Sequence, residues 1–159
     1  MLFRSRAMAL GPTTYKTTNI INQIGSDLTS KEGCGLWLDG ANTVGLATSS
    51  TLVPYGVVVT GTDSLTPGTY PSAIGDASLE LVDQLGCCVQ VLISSEAAVT
   101  AGDALLIDNT VTDGTFTGSN SQSPVQGDWI WGYAMTDADA GEQCLMRFQP
   151  LLIQYVPAP

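Results

Sequence analysis

The sequence predicts an all-β protein: a small barrel or sandwich of about seven to eight short strands, with an extended N-terminal arm and at most one short helix. Short apolar runs recur along the chain, and glycine, proline, serine or asparagine separates them. Charged residues make up 13% and hydrophobic residues 44% of the sequence, which fits neither a solvated helical bundle nor a disordered chain. Turn signals such as Thr66-Pro67-Gly68, Asp113-Gly114 and Ala140-Gly141 mark the ends of strands.

The chain has 159 residues, enough for one folded domain that buries a core without help from metals or disulfides. Residues 1–31 mix glycine, proline, threonine and basic residues without periodicity, so they are predicted to form a flexible or extended N-terminal arm. Residues 32–150 are predicted to form the β domain, and residues 151–159 a C-terminal tail.

The predicted strands are rich in β-branched, leucine or aromatic residues. They are, in order, Leu36–Leu38, Val44–Ala47, Gly56–Thr60, Leu79–Val82, Cys87–Ile93, Ala104–Ile107, Ile130–Thr136 and Gln143–Phe148. Two segments are ambiguous, because Asn19–Ile24 fits a short strand or a helical turn and Ser78–Gln84 fits a strand or a helix. Ser64–Asp76 and Thr112–Gly127 are predicted to be long exposed loops, where interactions tend to reside.

Charge is distributed unevenly along the sequence. From residue 32 onward there are 14 acidic residues and one basic residue, Arg147, whereas the first 31 residues carry four basic residues and one acidic residue. The acidic body repels phosphates, so we expect no direct binding of nucleic acid by it. Arg4, Arg6 and Lys16 in the basic segment are candidate electrostatic contacts with a protein partner; the alternative is a solvated tail.

The sequence offers no run of roughly 20 apolar residues, so a transmembrane role is not expected. The start of the chain has positive charge but lacks the apolar segment of a signal peptide, which favours assembly in a cytoplasm. The four cysteines, Cys34, Cys87, Cys88 and Cys144, lack the paired spacing of zinc or redox sites and are interpreted as buried thiols. A disulfide between Cys34 and Cys144 remains an open alternative at this point.

The residues that most enzymes need are missing. Histidine is absent, which removes the commonest general base and the commonest transition-metal ligand, and no glycine-rich phosphate-binding loop occurs. We therefore expect no catalytic residues, no cofactor and no enzymatic activity. The oxygens of Asp137, Asp139 and Glu142 resemble the start of a calcium loop, although a solvated hairpin end is the simpler interpretation of such closely spaced acids.

Trp129 and Trp131 alternate with Ile130 and are predicted to share one face of a strand. Such a pair can pack in the core, anchor a contact between subunits, or form a platform that stacks on sugars. We interpret both tryptophans as candidate subunit-interface residues.

Two segments separated by a variable loop carry a family resemblance. The first is Ala98-Val99-Thr100-Ala101-Gly102-Asp103-Ala104-Leu105-Leu106. The second combines Ile130-Trp131-Gly132-Tyr133-Ala134-Met135 with Ala138-Asp139-Ala140-Gly141-Glu142-Gln143-Cys144-Leu145-Met146. Together they resemble the head decoration, or capsid cement, proteins of tailed phages. Gly102-Asp103 and Gly141-Glu142 supply tight turns in this pattern.

The resemblance implies a compact β domain, often a homotrimer, that sits on the outside of a phage capsid and reinforces it. The implied partner is the major capsid protein, and the implied location is the exterior of a virion assembled in the host cytoplasm. The sequence therefore predicts a structural virion protein that binds and stabilises a capsid lattice. The alternative is a tail, fibre or surface β module that binds a receptor or a glycan.

Overall fold

The computed structural model describes residues 18–20, 23–24, 28, 31–38, 43–58, 79–82 and 85–154. This part of the chain contains strands and turns but no helix, which confirms the all-β prediction. The strands are β1 (Thr18–Ile20), β2 (Gln23–Ile24), β3 (Gly35–Leu38), β4 (Thr43–Leu46), β5 (Gly56–Val58), β6 (Leu79–Val82), β7 (Cys88–Leu92), β8 (Ala104–Ile107), β9 (Phe116–Gly118), β10 (Trp129–Ala134) and β11 (Gln143–Leu152).

The strands form two sheets. The first sheet has the order β1-β6-β5-β3-β4-β2, and its neighbours are antiparallel except for the parallel pair β2 and β4. The second sheet has the order β7-β11-β10-β8-β9 and is antiparallel throughout. Strands β10 and β11 form its centre, and their register shifts between Ile130 and Gly132, next to Pro150 on β11, a residue that cannot donate a backbone hydrogen bond.

The second sheet curls until its two edges meet. Ile93, which directly follows β7, forms a parallel bridge with Phe116 at the start of β9. The Ser94 N–H then donates a 2.8 Å hydrogen bond to the Phe116 carbonyl oxygen. This contact satisfies part of an edge that would otherwise be open, so the second sheet has the character of a small barrel.

Glycine allows the two sheets to pack closely. A Cβ atom at Gly35 of β3 would lie 2.7 Å from Ile107 Cδ1 and 2.9 Å from the Trp131 ring. Trp131 is fully buried at this contact and packs edge-to-face on Phe116 and Phe148, with ring centroids 5.4 and 6.4 Å away. The main core therefore lies between β3 of the first sheet and the concave side of the second.

The first sheet also buries side chains on its other face. Val57 of β5 belongs to the main core, whereas the next residue, Val58, joins a second cluster with Leu36, Val44 and Leu28. All four side chains of this second cluster are at most 1% exposed. Leu28 lies in the segment predicted as an arm, as do β1 and β2, so part of that segment is extended and pairs with the first sheet.

Every strand predicted in the β domain is present, with bounds that differ by a few residues. The ambiguous segments Asn19–Ile24 and Ser78–Gln84 contain strands. The prediction of one exposed loop over Thr112–Gly127 is wrong in part, because Phe116–Gly118 is the buried strand β9. The predicted loop Ser64–Asp76 and residues 155–159 of the predicted tail lie outside the described residues.

Candidate functional site

The turn that opens β8 is fixed by its own side chains. Gly102 has φ of 98°, a conformation that other residues adopt only with strain. The Asp103 carboxylate accepts hydrogen bonds from the Thr100 N–H at 2.9 Å and from Asn120 Nδ2 at 2.7 Å. The Gly-Asp dipeptide therefore closes its own turn and also holds the start of the loop after β9.

The two segments that carry the family resemblance contact each other. Val99 and Ala138 exchange both backbone hydrogen bonds, at 2.9 and 3.1 Å. The neighbouring Asp137 Oδ1 accepts a 2.8 Å hydrogen bond from the Ala101 N–H. The sequence motif thus corresponds to one compact turn assembly, which joins the loop before β8 to the loop before β11.

The candidate calcium ligands do not form a metal site. Asp137, Asp139 and Glu142 are all exposed, and one Asp137 oxygen is already bonded to Ala101. Among the described residues, no group of three His, Cys, Asp or Glu side chains is placed to hold a metal ion. Gly141 has φ of 80° and the Glu142 N–H bonds to the Asp139 carbonyl oxygen, as in an ordinary tight turn. These contacts are those of a solvated acidic turn, the simpler of the two interpretations of this segment.

A buried polar network ties together the loops at the start of β10. Ser50 is fully buried and Asp128 is 3% exposed, and the Ser50 hydroxyl donates a 2.8 Å hydrogen bond to Asp128 Oδ1. The Asn109 side chain contacts Ser50 twice: its Oδ1 accepts from the Ser50 N–H and its Nδ2 donates to the Ser50 hydroxyl. Three loops that are distant in sequence are thereby joined at one point.

The same network positions the loop between β9 and β10. Asp128 Oδ2 accepts a 2.8 Å hydrogen bond from the Val125 N–H, and the Trp129 N–H donates to the Ser50 carbonyl oxygen at 2.7 Å. Gln122 accepts from the Asn109 N–H and donates to the Ile107 carbonyl oxygen. Sequence reasoning missed this network, although the concentration of Ser, Asn, Gln and Asp in these loops was a signal of it.

Asp108 caps the same end of β8. Its Oδ1 accepts hydrogen bonds from the Thr110 N–H at 2.8 Å and from the Thr110 hydroxyl at 2.6 Å. Burial alone would raise the pKa of Asp108, but hydrogen bonds from Ser94 and Thr110 outweigh burial and hold the pKa below its usual value. The carboxylate is therefore charged and acts as an acceptor that orders the loop.

All four cysteines are free thiols, so the disulfide alternative between Cys34 and Cys144 is not realised. Burial raises the pKa of Cys34 to about 12 and also raises that of Cys144. The Cys144 thiol donates a 3.2 Å hydrogen bond to the Thr136 carbonyl oxygen. These two thiols are packing groups, and neither is activated as a nucleophile.

The two tryptophans differ in depth. Trp131 is fully buried inside a single chain, so its interpretation as a subunit-interface residue is wrong: the ring has no surface to offer a second subunit. No partner for its Nε1 is found among the described residues. Trp129 is half-buried and packs against the edge of the core, so it remains a candidate surface residue.

Arg4, Arg6 and Lys16 lie outside the described residues. On the described surface, large apolar side chains are exposed at scattered positions, namely Leu38, Val53, Leu85, Val125, Met135 and Leu151. The described residues contain no helical segment with the length and apolarity that a bilayer span requires.

The fold and these loop contacts define a compact β domain of two packed sheets, one of them nearly closed, with side-chain networks that fix its loops. A solved structure with a similar fold is that of "head fiber gp8.5 N base in bacteriophage phi29", with a TM-score of 0.55 and 15% sequence identity. The match covers 84% of this chain and 95% of that chain. At this identity the likeness shows a shared fold. No family model and no curated protein matches the sequence.

Proposed function

We propose that this chain is a structural virion protein that binds the outside of a phage capsid lattice and stabilises it. The observation that carries the proposal is the fold shared with the base of a phage head fibre over most of both chains. The turn motif that resembles capsid decoration proteins is a second support for this role, and its two segments bond to each other at Val99 and Ala138.

The loop contacts support the role of a rigid attachment module. Buried hydrogen bonds around Ser50 and Asp128 fix the loops, and the buried thiols of Cys34 and Cys144, whose pKa values burial raises, pack in the interior. A module that reinforces a shell needs such preorganised surfaces, because each loop that becomes ordered on binding costs conformational entropy. The proposed partner is the major capsid protein on the exterior of the virion.

The distribution of charge along the chain suggests how it could attach to a shell. The negative charge from residue 32 onward disfavours contact with nucleic acid, whereas residues 1–17 carry Arg4, Arg6 and Lys16 and no acidic residue. We propose that this basic segment contacts acidic positions of the shell, where it can add main-chain hydrogen bonds to an exposed strand.

Pelleting with expanded empty phage shells tests the proposal. The full chain should co-sediment with shells and raise the temperature at which they rupture. A variant without residues 1–17 should stay folded and lose pelleting, since the deletion removes no described strand. The matched control keeps the segment but replaces Arg4, Arg6 and Lys16 by glutamine. It distinguishes binding through the positive charges from binding through main-chain hydrogen bonds to a capsid strand. A full chain that remains in the supernatant with every shell tried rejects capsid binding.

Receptor or glycan binding is the second candidate function. Half-buried Trp129 and the exposed Val125 favour it, because both belong to the loop region at the start of β10. The burial of Trp131 weakens it, since the proposed stacking platform loses one of its two rings. Binding to a glycan array that Trp129→Ala abolishes, without pelleting on shells, would favour this candidate.

A further inference from the structure

One short segment of the chain pairs with both sides of the first sheet. Strand β1 is antiparallel to β6, whereas β2 is parallel to β4. These two strands are the first and the last of the sheet, with four other strands between them. We call β1, β2 and the following Leu28 the clasp, because together they join the two edges of the sheet.

The length of chain between β1 and β2 shows that the first sheet is curled. In a flat sheet, five strand spacings of about 4.8 Å would separate β1 from β2 by about 24 Å. The chain from Ile20 to Gln23 spans at most about 11 Å, because consecutive Cα atoms are about 3.8 Å apart. The two edges of the sheet are therefore close together, and the clasp bridges them.

The clasp also supplies a side chain to the second hydrophobic cluster. Leu36, Val44 and Val58 of this cluster come from three different strands of the first sheet. Among the described residues, no strand of the second sheet contributes to it. Leu28 belongs to the same cluster and is fully buried. The clasp is thus held by strand pairing at two edges and by one buried leucine.

The strand pairing of the clasp is short. Three residue pairs join β1 to β6 and two join β2 to β4, whereas five join β7 to β11. Elements with few backbone hydrogen bonds open at a lower free energy than the strands of a core. When the clasp opens, β6 and β4 lose a partner strand, and an unpaired strand edge can accept another extended chain.

We propose that the first sheet carries a docking site for an extended peptide, and that the clasp is the occupant of this site within the chain. The edges of β6 and β4 bind the peptide through main-chain hydrogen bonds, and the space filled by Leu28 binds one apolar side chain. The ligand is therefore an extended segment with an apolar residue at the position of Leu28. The inference goes beyond capsid binding, because this site needs neither a shell nor the basic residues 1–17.

Hydrogen exchange of the full chain, followed by mass spectrometry, tests whether the clasp opens by itself. Amides of β1 and β2, and those of β6 and β4 that pair with them, should exchange roughly tenfold or more faster than amides of β10 and β11. Leu28→Ala should accelerate exchange in the first set by a further factor of roughly ten, because it removes the buried side chain of the clasp. Exchange in β10 and β11 should not change.

Peptide binding tests the docking site directly. The probe is a fluorescently labelled peptide with the sequence of residues 16–30, and its anisotropy is measured as the full chain is added. Leu28→Ala should bind the probe roughly tenfold more tightly than the wild type, because its own clasp occupies the site for less of the time. Leu105→Ala is the matched control: it shortens a leucine that is equally buried in the second sheet and should bind the probe as the wild type does. A peptide of scrambled sequence should not bind.

Two results overturn the inference. One is exchange in β6 and β4 that occurs only together with exchange in β10 and β11, which would mean that the clasp never opens alone. The other is equal binding of the probe by the wild type and Leu28→Ala. If Leu28→Ala does not fold, Leu28→Val replaces it in both measurements. Neither measurement contains shells, so failure of the chain to pellet with shells rejects capsid binding and leaves the docking site in place.

Discussion

The hydroxyl of Ser50 donates a 2.8 Å hydrogen bond to Oδ1 of Asp128, a residue 78 positions further along the chain. Both side chains are buried, and the other oxygen of Asp128 holds the Val125 N–H. A buried carboxylate is tolerated only when its lone pairs are occupied, so this pair is a structural requirement of the loop cluster.

Ser50→Ala should lower the free energy of unfolding by about 1–3 kcal/mol, because it removes the hydroxyl that bonds to Asp128 Oδ1 and to Asn109 Nδ2. The neighbouring Ser49→Ala is the matched control, since the Ser49 hydroxyl bonds to Thr51 at the surface. That change should cost roughly 0.5 kcal/mol or less. Urea unfolding followed by tryptophan fluorescence measures both, and equal effects would mean that the network does not stabilise the loops.

Gly132 is required because a side chain would not fit there, and Gly102 because other residues are strained in its backbone conformation. A Cβ at Gly132 would overlap the backbone carbonyl of Arg147 on the adjacent strand, so Gly132→Ala should cost about 3 kcal/mol or more. A Cβ at Gly102 meets nothing within 4 Å, but φ there is 98°. Gly102→Ala should therefore cost only about 1–2 kcal/mol of backbone strain. Denaturant unfolding compares the two variants, and a smaller loss of stability for Gly132→Ala than for Gly102→Ala would contradict the close approach of the Arg147 carbonyl to Gly132.

The strands could be predicted because local composition determines them. Apolar residues between turn signals predict strands over Gly56–Thr60 and Cys87–Ile93, and the structure has strands there at Gly56–Val58 and Cys88–Leu92. Phe116–Gly118 was missed because only three residues form this strand, inside a loop rich in Thr, Gly and Ser. Its burial depends on the bridge to Ile93, a contact between residues far apart in sequence.

The site was less predictable, for a physical reason. The alternation of side chains places Trp129 and Trp131 on one face of a strand. How deeply each ring is buried depends on the residues that pack against that face. Trp131 packs against Gly35 and Phe116, which come from other segments of the chain. The Ser50 network likewise joins residues whose individual positions carry no motif. The turn assembly at Gly102 could be predicted, because a glycine followed by an aspartate determines a turn locally.

The two tryptophans should respond oppositely to mutation. Trp131→Ala removes a fully buried ring that contacts Phe116 and Phe148, so it should cost about 3–5 kcal/mol or prevent folding. Trp131→Phe retains apolar volume and removes an indole N–H that has no partner among the described residues, so its cost should be smaller. Trp129→Ala should cost less than Trp131→Ala, because its ring is half-buried. Thermal unfolding gives the order, and a more damaging change at Trp129 would contradict it.

The Cys34 thiol makes stability depend on alkaline pH. Its pKa is about 12 in the folded chain against 9.0 for an ordinary cysteine, because burial disfavours the thiolate. The unfolded chain therefore loses this proton first, so the contribution is complete below pH 9.0 and is lost as pH rises toward about 12.

Cys34→Ala should flatten this part of the stability profile by about 1.4 kcal/mol per pH unit between those limits. It should also lower stability at neutral pH, because the smaller side chain leaves a void in a packed site. Urea unfolding of wild type and variant at pH 7 to 11 measures the difference in slope. Val58→Ala is the control, since it trims a buried side chain that carries no ionisable group and should leave the alkaline slope of the wild type intact. Parallel profiles for wild type and Cys34→Ala would show that this thiol ionises equally in both states.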